Sequence, residues 1–293
     1  DRFRNHLLAD QLHILNVCFL TPEMRREYGG TAGNIAYNLK LLDDDPLLMA
    51  AVGDDIAPYL ERLKRLGIGA GLLKGIAGQF TAQAFITTDL DNNQIIAFHP
   101  GAMNHSHENR IGMELGATLA IVGPDGKEGM LQHSRQCAAH GIPLVFDPGQ
   151  GLPMFSGEEL MEMVQCASYL AVNDYEGKML EEKTGRKLED LARELKALVL
   201  TLGGEGSVIF TGGKRHEIAC VAADAVLDPT GCGDAYRAGL LYGIAHGWDW
   251  PSTGRLASVM GSIKIAHRGA QNHAPSRDEI AARYKKAFGS SPF

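Results

Sequence analysis

The stretch 228–239 (DPTGCGDAYRAG) joins a glycine-flanked turn to a carboxylate at the start of a predicted helix. Residues with short or absent side chains let a ligand approach the backbone closely. The N–H groups of Gly231, Cys232 and Gly233 are expected to lack partners at the helix start, where the helix dipole also favours negative charge. These amides form a candidate anion hole for a phosphate. Asp234 lies beside them and could take a proton from an attacking hydroxyl, so the segment predicts phosphoryl transfer to an alcohol.

The same residues also have a purely structural interpretation. Thr230 could be the N-cap of the helix, and Asp234 could be a first-turn acid that merely suits the dipole. The phosphate interpretation is favoured because the whole motif 228–234 coincides with the start of a long predicted helix. Cys232 lies at this helix start, which could lower the pKa of its thiol, but we interpret it as a small filler and not as a nucleophile.

Two polar motifs elsewhere could bind hydroxyl groups or a metal ion. In the motif GGTAGN, Gly30 lets the backbone approach a ligand, and Asn34 offers both a donor and an acceptor to hydroxyls. In the motif NDYE, Asn173 and Glu176 follow a predicted strand, lie on one face of a helix start and could hold the water shell of Mg²⁺. Ordinary helix capping is the structural alternative for both motifs.

Two glycine loops are candidates for nucleotide binding. The motif TLGGEG at 201–206 follows a predicted strand and could receive the phosphates or ribose of a nucleotide, or it could be only a hairpin into the strand 207–211. The motif GAQNH at 269–273 could line an adenine pocket or only cap the preceding helix at Gly269. The candidates in these loops are Thr201, Gly203, Gly206 and Gln271.

Composition and charge exclude several classes of protein. The 293 residues carry a net charge of −7 with no long Lys/Arg run, so a nucleic-acid partner is not expected. No apolar run approaches the length of a membrane span, and no signal-peptide pattern is present. Five separated cysteines without a Cys-x-x-Cys pair predict reduced thiols and a cytoplasmic protein. There is no P-loop, no complete dinucleotide-binding fingerprint and no His-Glu-x-x-His zinc motif.

Apolar strand-like runs alternate with amphipathic stretches from about residue 101 onwards. This alternation predicts an α/β fold with a mainly parallel central sheet flanked by helices on both faces. The strands around 12–19 and 83–98 are expected to form a small separate sheet, which could be a lid, a dimer surface or a plain edge hairpin. Strands are predicted at 12–19, 47–52, 83–88, 94–98, 118–123, 143–147, 169–173, 198–202 and 207–211, and helices at 32–42, 56–66, 127–140, 156–167, 174–183, 188–196 and from about 231, 251 and 276.

The order of these motifs resembles the ribokinase-like (PfkB) family of sugar and nucleoside kinases over nearly the whole chain, and bacterial adenosine kinases most of all. The motif at 228–239 is the most specific part of the resemblance. The resemblance implies a Rossmann-like ribokinase fold with a β-sheet lid that closes on the sugar. The other segments that carry it lie at 12–20, 29–34, 98–103, 147–150, 156–159 and 172–176; the implied core comprises 29–78 and 101–293, and the implied lid comprises 9–28 and 79–100.

The resemblance also implies roles for particular residues. Asp234 matches the catalytic base, and the amides of Gly231, Cys232 and Gly233 match the anion hole. The implied substrate-binding residues are Gly30, Asn34, Phe98 (a lid aromatic that stacks on the base), Gln150 and Asp234; the implied ATP-binding residues are Asn173, Thr201, Gly203, Gly206, Gly233 and Gln271; and Glu176 matches the residue that binds Mg²⁺ indirectly through water.

The function implied by the resemblance is an ATP- and Mg²⁺-dependent kinase that phosphorylates the 5′-hydroxyl of a nucleoside, adenosine first, in purine salvage. A sugar kinase of the same fold and a ligand-binding homologue without phosphoryl transfer are the alternatives. The resemblance leaves open a monovalent cation as a further cofactor and a homodimer formed through the lid. Family members usually begin with a core strand whose Asp binds sugar hydroxyls, whereas this sequence starts beyond that point. Ala84 and Met154 stand where similar adenosine kinases can carry an aromatic residue and an arginine.

Overall fold

The strands of the chain form three β-sheets in the computed structural model, which describes residues 2–5, 16–91 and 93–293. The largest sheet has six strands, and two smaller sheets have two strands each. In chain order the strands are β1 (Met49–Val52), β2 (Leu72–Gly75), β3 (Gln83–Thr88), β4 (Gln94–His99), β5 (Ala120–Val122), β6 (Leu144–Phe146), β7 (Tyr169–Asn173), β8 (Ala197–Thr201), β9 (Ser207–Thr211) and β10 (Lys214–Ile218).

The six-stranded sheet has the order β10-β9-β8-β7-β6-β5. Strands β5 to β8 are parallel, whereas β9 runs antiparallel to both β8 and β10. All three residues of β6 are buried, which is the pattern of a parallel strand covered on both faces. The predicted α/β fold with a mainly parallel sheet is therefore confirmed.

Helices cover the sheet, and several begin at capping boxes. Capping boxes are present at Ser156 and Ser276, where each serine side chain accepts a hydrogen bond from the N–H of the glutamate three residues later. No helix among the described residues is long and apolar enough to cross a membrane. The helices are α1 (Thr31–Leu41), α2 (Ala57–Arg65), α3 (Lys127–Ala139), α4 (Gly157–Cys166), α5 (Asp174–Thr184), α6 (Leu188–Glu194), α7 (Cys232–Ala245), α8 (Trp250–Ile265) and α9 (Arg277–Phe288).

Helices α7 and α8 pack closely against each other at two glycines. A methyl group added at Gly239 would lie 2.6 Å from the Cα of Ala257, and one added at Gly243 would lie 2.4 Å from the Oγ1 of Thr253. Only glycine permits so close an approach at these two positions. The second half of α7 and the first half of α8 are thereby held in close contact.

Strands β3 and β4 form an antiparallel ribbon of their own. The ribbon exposes large apolar side chains to solvent, and these are Phe85, Ile86, Ile95, Ile96 and Phe98. The predicted strands 83–88 and 94–98 are confirmed. The predicted strand 12–19 is wrong over 16–19, where the structure has no strand, and residues 12–15 lie outside the described residues.

Two strands were not predicted from the sequence. Strand β2 pairs in parallel with β1, but it is four residues long and lies in a stretch with a glycine at 67, 69, 71 and 75. Strand β10 is polar, because it forms the outer edge of the sheet and most of its side chains are exposed. Both strands lack the apolar run on which the sequence prediction depends.

Candidate active site

Two motifs that are 200 residues apart meet at Asp234. Nδ2 of Asn34, in the first turn of α1, donates to Oδ2 of Asp234, in the first turn of α7, over 2.7 Å. Gly30 precedes α1 with a φ of 86°, a backbone conformation that favours glycine. The predicted hydroxyl-binding motif and the predicted phosphate motif therefore form one site.

The environment of Asp234 makes it a weak acid that can act as a base near neutral pH. Burial raises the pKa of its carboxyl group to about 6. The hydrogen bond from Asn34 and the charge of Arg237 oppose this increase, and the carboxylate of Asp147 adds to it. A carboxylate with such a pKa can accept a proton from an alcohol during phosphoryl transfer.

The turn before α7 offers free amide donors, but not the predicted set. The N–H of Cys232 donates to the carbonyl of Pro229 over 3.1 Å, so the prediction of an unpaired N–H on Cys232 was wrong. The N–H groups of Gly231, Gly233 and Asp234 have no acceptor among the described residues. Gly231 has a φ of 80°, and a methyl group there would lie 2.9 Å from the Cβ of Ala270.

Asp228 and Cys232 are structural parts of this turn. The carboxylate of Asp228 accepts from the N–H groups of Thr230, over 2.9 Å, and Gly269, over 2.8 Å. The alternative in which Thr230 caps α7 is wrong, because Gly231 is the N-cap residue and no side chain caps the helix. Burial raises the pKa of the Cys232 thiol to about 11, which outweighs any effect of the helix start and keeps the thiol neutral.

A buried ion pair that sequence reasoning missed lies next to Asp234. The guanidinium of Arg237, one helical turn further along α7, donates from Nε and Nη2 to the two carboxylate oxygens of Asp147, over 3.0 and 3.1 Å. Asp147 directly follows β6, and both side chains are buried. The signal in the sequence was that Arg237 is the only charged residue between 235 and 245, in an otherwise apolar helix.

Asn173 and Glu176 form a reciprocal capping box. Oδ1 of Asn173 accepts from the N–H of Glu176, and Oε2 of Glu176 accepts from the N–H of Asn173, both over 2.8 Å. Burial raises the pKa of Glu176, while Arg237 lowers it. The structural alternative is thus realised, and it leaves Oε1 of Glu176 without a hydrogen bond among the described residues.

The residues at this edge of the sheet fit a magnesium ion only through water. No group of three His, Cys, Asp or Glu side chains within the described part could hold a metal ion. Both carboxylate oxygens of Asp147 are bonded to Arg237, which leaves Glu176 as the candidate. Mg²⁺ commonly keeps several waters and binds substrate phosphates, so one carboxylate is chemically sufficient.

The nucleotide-loop candidates lie beside Asn173. Thr201 at the end of β8 is the direct partner of Asn173 at the end of β7. The loop that follows exposes Gly203 to solvent and closes with a hydrogen bond from the N–H of Leu202 to the carbonyl of Gly206 over 2.8 Å. This loop therefore lies at the same edge of the sheet as Asn173, where ligands bind in α/β sheets.

Gln271 is buried beside Asn34 and is fully hydrogen-bonded. Its side chain is buried, and Nε2 donates to Oδ1 of Asn34 over 3.0 Å and to the hydroxyl of Tyr59 over 2.7 Å. Its Oε1 accepts from Nε of Arg62 over 3.2 Å. Every polar atom of the side chain is thus paired in the network around Asn34, and the role of Gln271 in binding ATP stays a prediction.

The two remaining candidates are exposed and free to meet a ligand. Phe98 is 56% exposed on β4, directly opposite Ala84 of β3. Gln150 is exposed in the 3₁₀ segment Gly149–Met154 that follows β6. Neither side chain is hydrogen-bonded to Asn34 or Asp234. Their roles stay predictions.

Known proteins of similar sequence and structure are kinases. A sequence model of the pfkB family carbohydrate kinases matches residues 11–277. A nucleoside kinase from Methanocaldococcus jannaschii is 34% identical over 274 residues, which cover 92% of this chain and 90% of that protein. The solved nucleoside kinase of Burkholderia thailandensis in complex with inosine has 51% identity and a TM-score of 0.91, and the match covers 99% of this chain and 93% of that chain. A ribokinase from Lactococcus lactis is 26% identical over 88% of this chain and 86% of that protein.

Proposed function

The chain belongs to the pfkB family of carbohydrate kinases and is a phosphotransferase with an alcohol acceptor, and we propose that it transfers the γ-phosphate of ATP to the 5′-hydroxyl of a nucleoside. The observation that carries the proposal is the hydrogen bond between Asn34 and Asp234. It joins a hydroxyl-binding motif to a general base that has free amide donors beside it.

The higher sequence identity to nucleoside kinases than to ribokinases favours a nucleoside over a free sugar as the acceptor. Identity is 51% to the nucleoside kinase solved with inosine, against 26% to a ribokinase. We propose a purine nucleoside, with adenosine as the first acceptor to test. We also propose that the protein is cytoplasmic, because each cysteine in the described residues is free, as is usual in a reducing compartment.

In the proposed mechanism, Asn34 orients the carboxylate of Asp234 toward the acceptor hydroxyl. Asp234 takes the hydroxyl proton as the oxygen attacks, and the amides of Gly231, Gly233 and Asp234 stabilise the negative charge of the transferred group. The side chain of Cys232 takes no part. Mg²⁺, when bound, would neutralise charge on the phosphate oxygens, and Glu176 is the residue that would hold it through water.

We also propose that the β3–β4 ribbon acts as a lid, with 29–78 and 101–293 as the core. Phe98 is available to stack on the base of the nucleoside. The exposed apolar side chains of the ribbon support a homodimer formed through it, because a monomer rarely leaves such a patch uncovered. Size-exclusion chromatography with light scattering tests this, and a monomer at all concentrations would exclude it.

The test of the function is a panel of acceptors read out by ADP release. Adenosine and inosine should be phosphorylated, whereas ribose and fructose should be poor acceptors. Turnover of sugars alone would make the protein a sugar kinase. Binding of a nucleoside, seen as a thermal shift, without turnover of any acceptor would make it a non-catalytic homologue.

The assignment of the base is tested with two variants, each of which replaces an aspartate in the first turn of a helix. Asp234→Asn should lower kcat by about 10²–10⁴-fold, the usual contribution of a general base, with nucleoside binding retained. Asp278→Asn changes an exposed first-turn aspartate of α9 and should leave kcat unchanged. A near-normal kcat in Asp234→Asn would contradict the assignment of the base.

A further inference from the structure

Lys264 is a fully buried charged residue with no part in the mechanism above. It lies near the end of α8, with 0% of its surface exposed. No carboxylate forms an ion pair with it among the described residues. Burying an ammonium group is costly. Burial lowers the pKa of Lys264, and the charge of the nearby Asp228 carboxylate opposes this decrease. The buried ammonium group of Lys264 therefore needs an explanation.

The partners of Lys264 are two backbone carbonyls, one at the start of the phosphate turn and one in the segment that follows α8. Nζ donates to the carbonyl of Asp228 over 2.7 Å and to the carbonyl of His267 over 3.0 Å. Asp228 begins the turn that leads to the free amides of Gly231 and Gly233. The ammonium group therefore joins the end of α8 to the first residue of the turn that leads to the candidate anion hole.

Other hydrogen bonds attach the same turn to the same place. The N–H groups of Leu227 and Asp228 donate to the carbonyl of Ile265 over 2.9 and 3.2 Å. The N–H of Gly269 donates to the carboxylate of Asp228. Lys264 is the positively charged member of this junction, and it lies beside the turn that must hold a phosphate.

Proteins bind monovalent cations with backbone carbonyl oxygens, because these oxygens replace the hydration shell of the ion. The carbonyls around the ammonium of Lys264 form an environment of this kind. The residues here do not fit an added ion, since the ammonium of Lys264 already occupies the space between the two carbonyls. We propose that Lys264 is a tethered monovalent cation, a positioning residue that fixes the turn 228–233 for phosphoryl transfer and makes the kinase independent of added K⁺ or Na⁺. The proposal rests on the proposed kinase function.

The first test is the response of the unaltered protein to cations. We expect kcat for the nucleoside to be nearly the same in choline chloride and in KCl at equal ionic strength. A requirement for K⁺ in the unaltered protein would overturn the proposal. Absence of turnover with any acceptor would instead refute the proposed function, so the two failures are distinguishable.

The second test removes the ammonium group and returns a free ion. Lys264→Ala should lower kcat on the order of 10²-fold, the effect expected when reacting groups are displaced by about 1 Å, with little change in KM for the nucleoside. NH₄⁺ or K⁺ should restore a large part of kcat and raise the melting temperature of this variant, whereas choline should do neither. A defect that no cation relieves would show a merely structural role and would overturn the proposal.

Two controls complete the experiment. Lys264→Met fills the space of the side chain without a charge, so its kcat should fall and should not respond to NH₄⁺; a normal kcat would overturn the proposal even if Lys264→Ala does not fold. Lys286→Met changes an exposed lysine of α9 and should match the unaltered protein in kcat and in melting temperature.

Discussion

Replacing Asn34 with Leu should shift the pH dependence of the reaction to higher pH. The proton acceptor works only as the carboxylate, so kcat/KM should fall as the pH drops through the pKa of Asp234, which is about 6. Nδ2 of Asn34 donates to that carboxylate over 2.7 Å and thereby stabilises its charged form. Without this donor the pKa must be higher, and the acid limb of the profile must move with it.

The size of the shift follows from the strength of the lost bond. A hydrogen bond to a charged group contributes about 1.5–3 kcal/mol, and one pKa unit corresponds to about 1.4 kcal/mol, so the pKa should increase by about 1–2 units. With a pKa of about 7.5, the charged fraction of Asp234 at pH 7 falls from about nine-tenths to about a quarter. Ionisation alone then lowers kcat/KM about fourfold at pH 7 and hardly at all at pH 9.

The assay is kcat/KM for the nucleoside, from ADP release, between pH 5 and pH 9.5. Loss of a contact between Asn34 and the acceptor would lower the whole profile equally, so the position of the acid limb is the diagnostic quantity. Asn272→Leu removes an exposed amide whose partners among the described residues are Glu27 and Arg268, and its profile should match that of the unaltered protein. If the acid limb of Asn34→Leu lies at the same pH as that of the unaltered protein, the assignment of Asp234 as the base oriented by Asn34 is refuted.

Three further predictions concern the helix that begins at the phosphate turn. Arg237→Met leaves Asp147 as an unpaired buried carboxylate and should lower the free energy of unfolding by about 3–5 kcal/mol in urea denaturation, and adding Asp147→Asn should recover part of it. Gly231→Ala should lower the free energy of unfolding by about 1–2 kcal/mol and reduce kcat, because Gly231 has a φ of 80° and the added methyl group would contact Ala270. The control Gly213→Ala is also at positive φ but in open space, and it should leave kcat unchanged. Cys232→Ala should leave kcat nearly unchanged, and a large loss would give the neutral thiol a role in catalysis.

The elements that the sequence predicted well are those whose signal is local. Strand β7 and the start of α5 coincide with the prediction, because an apolar run leads directly into an Asn–Glu capping box. The location of Asp234 in the first turn of α7 was likewise predictable from the glycines and acid around it. Each of these features is decided by residues within a few positions of one another.

The features of the site that the sequence did not reveal come from tertiary contacts that no local pattern contains. Gln271 belongs to a polar loop that looks like a ligand surface, but packing against Asn34 and Tyr59 buries it. Arg237 and Lys264 resemble the charges of solvent-exposed helix faces, and only the folded chain shows that both are buried. The sequence signals the burial of such a residue only through its small and apolar helix neighbours, and this signal does not identify the residue with which it pairs.

The close contact of α7 and α8 through Gly239 and Gly243 has a consequence for how the protein could change its specificity. The two helices form one block that carries the base at one end, and any side chain larger than hydrogen in the seam would push them apart. In the proposed lid motion, closure around an acceptor comes from the β3–β4 ribbon moving against this block. Under that proposal, substitutions in the ribbon alter which acceptor is enclosed, and for how long, while the residues at the start of α7 stay in place.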